Sequence, residues 1–339
     1  MTKSHLQTSN RTPFVNPTLT PNLNLNPLLT TMRQALASLV TLVVVSFSAH
    51  AADRKLLMLA GSPSHGYMEH EYRAGCLLLQ QCLAKTPGLQ VTVVSNDWPK
   101  DESIFQGVDA VFMFCTGGGG HPAIKPARLE LLDGLMKKGV GFGTCHYGVE
   151  VPKGDPGNAF LEWQGGYFEM YWSVNPTWTA SFEKFVTHPV TRGVQPFKAN
   201  DEWYYHMRFP EGMKGVTPIL TAVPPDRTRG KPGANDPHGG NPEVQKHNGE
   251  PEHMMWAYDR PDGGRGFGFT GAHFHKNWAD DNYRKVVLNA LLWISKVEVP
   301  KDGVASSVTQ EQIMLNLDDK GQNKKKVTAQ QYRTTLACA

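Results

Sequence analysis

A chain of 339 residues with 40% hydrophobic content and a formal net charge of +3 is long enough for one large α/β domain or two small ones. No Lys/Arg cluster is interleaved with aromatics, so the slight positive balance does not point to nucleic acid. Five Cys do not make a disulfide scaffold here: Cys76 and Cys82 lie six apart in an expected helix, about 9 Å at helical rise, beyond bridging reach.

Residues 1–31 are rich in Thr, Asn and Pro without periodicity, and read as a disordered or mis-started extension. Residues 32–51 carry Arg33, the apolar run Leu36 to Phe47, and the small-x-small triplet Ala49-His50-Ala51. That is the pattern of a secretory signal, and the expectation is cleavage after Ala51 and an exported protein, periplasmic or extracellular. The apolar run is too short for a stable membrane span. The main domain is expected over 53–298. Residues 299–339 read as a polar tail with one short helix near Gln310 to Leu317 and the basic triplet Lys324-Lys325-Lys326.

Within the domain, Lys55 to Ala60 is a continuous apolar run ending in Gly61, which predicts a strand buried on both faces. His65 lies in the following loop. A helix is expected from about Met68 to Lys85, with Tyr72, Cys76, Leu79 and Leu83 on its buried face and Pro87-Gly88 as its stop. Val91 to Ser95 and Val108 to Cys115 are the next two strands, the latter running into Gly117 to Gly120 and His121. Pro126 opens a further helix that closes at Gly139. The run from Val140 then ends in Cys145, His146 and Gly148, a composition that suits a tight strand-to-helix elbow and suits equally a core strand with a buried Cys and a hydrogen-bonded His. This βαβ alternation predicts an α/β fold, a doubly wound, mostly parallel sheet flanked by helices. In such a sheet the loops carrying His65, His121 and His146 share the carboxyl edge, where ligands bind.

From Asp155 to Pro210 the chain becomes aromatic, with Trp163, Trp172, Trp178, Trp203, Tyr204 and Tyr205 among others. The density suits a sugar-stacking cleft or an ordinary aromatic core. Phe182 to Val186 is expected as a strand, and Asp201, Glu202 and His206 lie within six positions of one another. Val223 to Glu252 is dense in Pro, Gly, Asn and His, and reads as a lid or surface insertion. Met254 to Tyr258 and Gly266 to Thr270 form a late β-hairpin around Pro261 to Gly264, leading to His273 and His275. On a strand those two imidazoles would share a face, a metal-like spacing, although no His-Glu-x-x-His or Cys-x-x-Cys is present. Asp280 caps the last helix, with Tyr283, Val287, Ala290 and Ile294 as its buried face.

The order of these elements resembles the class I glutamine-amidotransferase-like (flavodoxin-like) fold and, within it, the ThuA-like (trehalose utilisation) family. The resemblance is carried by Lys55 to Gly61 with His65, Gly117 to Gly120 with His121, Gly141-Phe142 leading to His146, His188 to Gly193, Asp201-Glu202, and Gly264 to His273 with Trp293, over roughly Lys55 to Ser295. Amidotransferases carry Gly-x-Cys-x-Gly at the elbow. Here Tyr147 stands two places after Cys145, while Gly148 stands two places after His146, so His146 is the expected elbow residue and glutamine hydrolysis is not expected. The resemblance implies action on a small-molecule carbohydrate, a sugar or glycoside such as trehalose or an oxidised disaccharide. His146, His273 and Glu202 are the candidate catalytic residues, with His65, His121, Gly119, Gly120, Asp201 and Trp203 as candidate substrate contacts. The residues permit a divalent metal held by the histidines and Glu202. The alternative reading is a non-catalytic carbohydrate-binding or accessory domain.

Overall fold

The structure is a computed structural model that describes residues 53–320. The expected signal segment and the basic end of the tail lie outside the described residues. The chain opens with β1 (Arg54–Ala60), α1 (Tyr72–Leu83), β2 (Leu89–Val94), β3 (Ala110–Phe114), α2 (Pro126–Met136) and β4 (Gly141–Cys145). It continues through α3 (Asp155–Gln164), β5 (Thr177–Phe182), β6 (Phe197–Glu202), β7 (Val216–Ala222), α4 (Pro242–Lys246), β8 (Glu252–Asp259) and β9 (Arg265–Phe269). It closes with α5 (Asp281–Ile294) and α6 (Gln310–Ile313). The seven-stranded sheet has the order β2-β1-β3-β4-β9-β8-β7. Pairings from β2 through β9 are parallel, and β8 pairs antiparallel with both β9 and β7. β5 and β6 form a separate antiparallel pair.

The apolar runs are continuous because both faces of the sheet are covered. Leu56, Met58, Phe112 and Phe114 face a core shared with Leu79 and Leu83 of α1 and Leu291 of α5. Leu57, Leu59, Val111 and Met113 alternate with them and face Leu132 of α2 and Phe160 and Trp163 of α3. Gly143 marks a close approach between neighbouring strands: a Cβ there would lie 2.3 Å from the Phe267 ring. α5 begins where Asp280 accepts hydrogen bonds from the Asn282 and Tyr283 N–H groups, as its sequence predicted.

Three expectations differ in detail. The first helix starts at Tyr72 rather than Met68, because Met68 and His70 adopt left-handed backbone. The strand expected at Phe182 to Val186 is Thr177–Phe182, paired with β6. The segment after Pro300, read as a polar tail, is anchored as far as Lys320. Val304 and Ile313 are buried, Ser306 receives the Arg284 guanidinium, and Lys320 pairs with the buried Glu71 at 3.1 Å. Among the described residues no helix is long and apolar enough to cross a membrane.

Candidate active site

β4 runs directly into His146, whose backbone is left-handed with φ 50° and whose side chain is fully buried. Such a conformation is costly for a residue with a Cβ, and persists where the surroundings fix it. The ring is held by its Nδ1–H, which donates to Thr270 O at 2.9 Å, since a carbonyl can only accept. Cys145, one residue earlier, belongs to the strand. Its Sγ lies 3.6 Å from Gly271 O, and burial pushes its thiol pKa well up, so it is no thiolate nucleophile.

Two loops then run together beside the elbow. His70 N donates to His273 O at 3.0 Å, and His275 N to Met68 O at 2.8 Å. This zipper sets His70 Nε2 2.9 Å from His273 Nδ1 and 3.0 Å from His146 Nε2, with 3.2 Å between the latter two. Glu202, the last residue of β6, brings Oε2 to 3.0 Å from His273 Nδ1 and 3.4 Å from His146 Nε2. One donor atom from each of these four residues lies within 4.8 Å of all the others, close enough to surround a single cation. The Tyr204 hydroxyl stands 3.2 Å from His146 Nε2.

Burial sets the electrostatics of the group, and Glu202 partly reverses it. Burial, then the nearby His146, pushes the His70 pKa far down. Burial alone would raise Glu202, but the neighbouring His146 and His273 imidazoles hold it at about 2. Burial would lower His273, yet its hydrogen bond to Glu202 leaves its pKa raised. The site therefore pairs an ionised carboxylate with a histidine whose pKa that carboxylate raises.

The residues expected around this site divide. His65 is exposed and stacks on His70 with ring centroids 3.5 Å apart. Gly119 and Gly120 are exposed in the turn after β3. That turn packs on the elbow at Gly117, where a Cβ would meet Tyr147 O at 2.1 Å. His121 does not join the cluster. Its Nδ1 accepts from Ala123 N at 3.1 Å, its Nε2 donates to Gly148 O at 3.2 Å, and its ring packs edge-on against Phe160. The loop after β3 turns back on itself, and His121 caps that turn from inside the α2–α3 core. Trp203 is fully buried against Phe182, Phe269 and Tyr283, with its indole N–H on Ala199 O, so it presents no face to a substrate. Asp201 is also fully buried and accepts from the N–H groups of Ala272 and Phe274. It supports the His273 loop rather than meeting a ligand. His275 does not share a face with His273. The chain leaves β9 before both, and the His275 Nε2–H donates to Ile313 O at 3.0 Å.

His70 is the member that sequence reasoning missed, because it was placed inside the first turn of α1. The available signal was Glu69-His70-Glu71, an imidazole between carboxylates with no Ser, Thr, Asp or Asn in place to cap a helix. A further pair borders the site: His238, from the segment after β7, sits 3.5 Å from the buried Glu150 and packs on Phe168.

A family model described as ThuA, trehalose utilisation, matches residues 56–294. Among solved structures, a putative ThuA-like protein from Bacteroides uniformis ATCC 8492 is similar with a TM-score of 0.52 at 18% sequence identity, over 74% of this chain and 94% of that one. That likeness bears on the fold. No curated protein matches the chain.

Proposed function

The chain belongs to the ThuA, trehalose-utilisation family, and from that premise we propose that it is an exported enzyme acting on a sugar or glycoside, trehalose-like or an oxidised disaccharide. The observation that carries the reading is the convergence of His70, His146, His273 and Glu202 at the carboxyl edge of the sheet. A module that only binds neutral sugars needs hydroxyl, amide and aromatic contacts. It gains nothing from two imidazoles that hold a carboxylate's pKa at about 2. His146, His273 and Glu202 are the proposed catalytic residues, with His70 completing the group. His65 and the Gly119-Gly120 turn are proposed to meet the sugar at the rim.

Turnover of trehalose and of oxidised disaccharides by the purified protein tests this, with His146→Ala as the comparison. The expected result is product formation that the variant loses. Sugar binding without turnover, equal in the two proteins, would instead make this an accessory domain. The proposed export is checked separately: the mature protein's mass should correspond to a start at Ala52.

A further inference from the structure

The protons in the cluster do not balance by hydrogen bonding alone. Three ring nitrogens face one another at 2.9, 3.0 and 3.2 Å. The Nδ1 of His146 spends its proton on Thr270 O, so its Nε2 is a bare lone pair. The two remaining rings can offer at most one inward proton each. Two protons cannot bridge three nitrogen–nitrogen contacts, and His273 must also serve Glu202, 3.0 Å away. Any assignment leaves one contact head-on, either two lone pairs or two N–H groups.

We propose that these four residues bind one divalent first-row transition cation, zinc being the simplest case, through His70 Nε2, His146 Nε2, His273 Nδ1 and Glu202 Oε2. A central cation satisfies all four donors at once. Donor atoms about 2.0–2.1 Å from a tetrahedral ion stand roughly 3.3 Å from one another; the spacings among the three nitrogens, and from Glu202 Oε2 to His146 and His273, run from 2.9 to 3.4 Å. The far sides of His146 and His70 are hydrogen-bonded as metal-bound imidazoles require, and that of His273 has a carboxylate nearby. His146 Nδ1 donates to a carbonyl, His70 Nδ1 lies 2.7 Å from the Tyr72 hydroxyl, and His273 Nε2 faces Glu69 at 3.9 Å. Three nitrogens with one oxygen favour zinc and its neighbours over magnesium or calcium, which prefer all-oxygen sites. Left-handed backbone occurs at two of the donors and beside a third: His70, His146 and Ala272 have φ of 46°, 50° and 86°. This inference rests on the site placed above, although not on its substrate.

The test uses the full-length protein, stripped with a chelator and titrated with Co²⁺ and then Zn²⁺. The expected result is a single cation per chain, a tetrahedral Co²⁺ absorption that Zn²⁺ displaces, and a raised Tm. His70→Ala and Glu202→Gln should weaken binding by more than the roughly 10–100-fold that loss of an outer partner costs. Glu69→Gln should fall within that range. His65→Ala, which removes a stacked ring but no donor, should still bind one cation. If His70→Ala fails to fold, Glu202→Gln carries the comparison, because its side chain is partly solvent-facing. Substoichiometric Co²⁺, or binding that survives both donor substitutions, overturns the proposal. Turnover of a disaccharide by a protein that binds no cation would overturn it while leaving the sugar reading intact. A bound cation with no turnover of any disaccharide would do the reverse.

Discussion

Asp201 organises the site without touching its donors. Its carboxylate accepts from Ala272 N at 2.9 Å, Phe274 N at 3.2 Å and the Tyr283 hydroxyl at 2.5 Å, all in the buried interior. It therefore ties the end of β6, the His273 loop and α5 together. Asp201→Ala leaves several buried donors unpaired and should cost about 3 kcal/mol or more, whereas Tyr283→Phe removes one bond and should cost about 1 kcal/mol. Urea midpoints at constant slope read both, and an Asp201→Ala protein as stable as Tyr283→Phe would contradict the account. The same pair of neighbours shows what could be read at this scale. Glu202 was legible as a carboxylate near a predicted cleft. The opposite direction of Asp201 was not, since it follows from strand parity in β6, and that strand was not recognised. His146 and His273 were legible because they end apolar runs. His70 was hidden because left-handed backbone at a non-glycine residue leaves no mark in composition.

At the scale of elements, legibility follows coverage. Strands buried on both faces announce themselves as apolar runs, as β1, β3 and β4 do. β6 reads Phe-Lys-Ala-Asn-Asp-Glu, and its buried positions are Phe197, Ala199 and Asp201. A buried carboxylate in the inward register defeats a hydrophobicity pattern. β7 contains Pro218, which suits its place at the edge of the sheet but weakens a strand reading. The insertion between β7 and β8 was legible as a surface element, although its partner was not. Tyr171 N bonds Pro237 O at 2.7 Å, and His238 meets Glu150 beside the site. The hydrogen bond to Glu150 raises the His238 pKa above 6.5 despite burial. A raised folded value means that this anchor is fully present below 6.5 and is lost as pH climbs through the raised value. Proteolytic cleavage within residues 226–249, normalised to an unstructured substrate, should accelerate over that rise, and Glu150→Gln should flatten the profile. A wild-type rate that does not change with pH would remove the anchor from the account.

For the molecule as a whole, the α/β architecture followed from the alternation of runs, and the histidine-bearing edge followed from the architecture. The histidines are where the inference needed coordinates, because the edge supplied more imidazoles than the cluster uses. His121 and His275 were both expected as members, and both are structural. They lie in different layers, His121 against Phe160 and His275 against the carbonyl of Ile313 in α6. Burial pushes each down to about 4 from an ordinary 6.5, with a carbonyl hydrogen bond offsetting only part of the effect. The unfolded chain therefore binds protons at these groups before the folded chain does. Stability should be full above pH 6.5 and should fall as pH drops from 6.5 towards 4, by on the order of 3 kcal/mol for each histidine. Glu202 has the opposite charge type but the same direction, in a lower window. Its depressed value contributes stability above 4.5 that is lost as pH falls towards 2. Acid unfolding should thus begin with the histidines buried as neutral groups, His70 of the site as well as His121 and His275, before the site carboxylate is protonated. Urea midpoints measured from pH 7 to pH 4 should decline steadily, and His121→Gln, which retains a donor for Gly148 O but cannot be protonated, should show a shallower decline. A wild-type midpoint that holds constant across this interval would mean that these histidines are not buried as neutral groups.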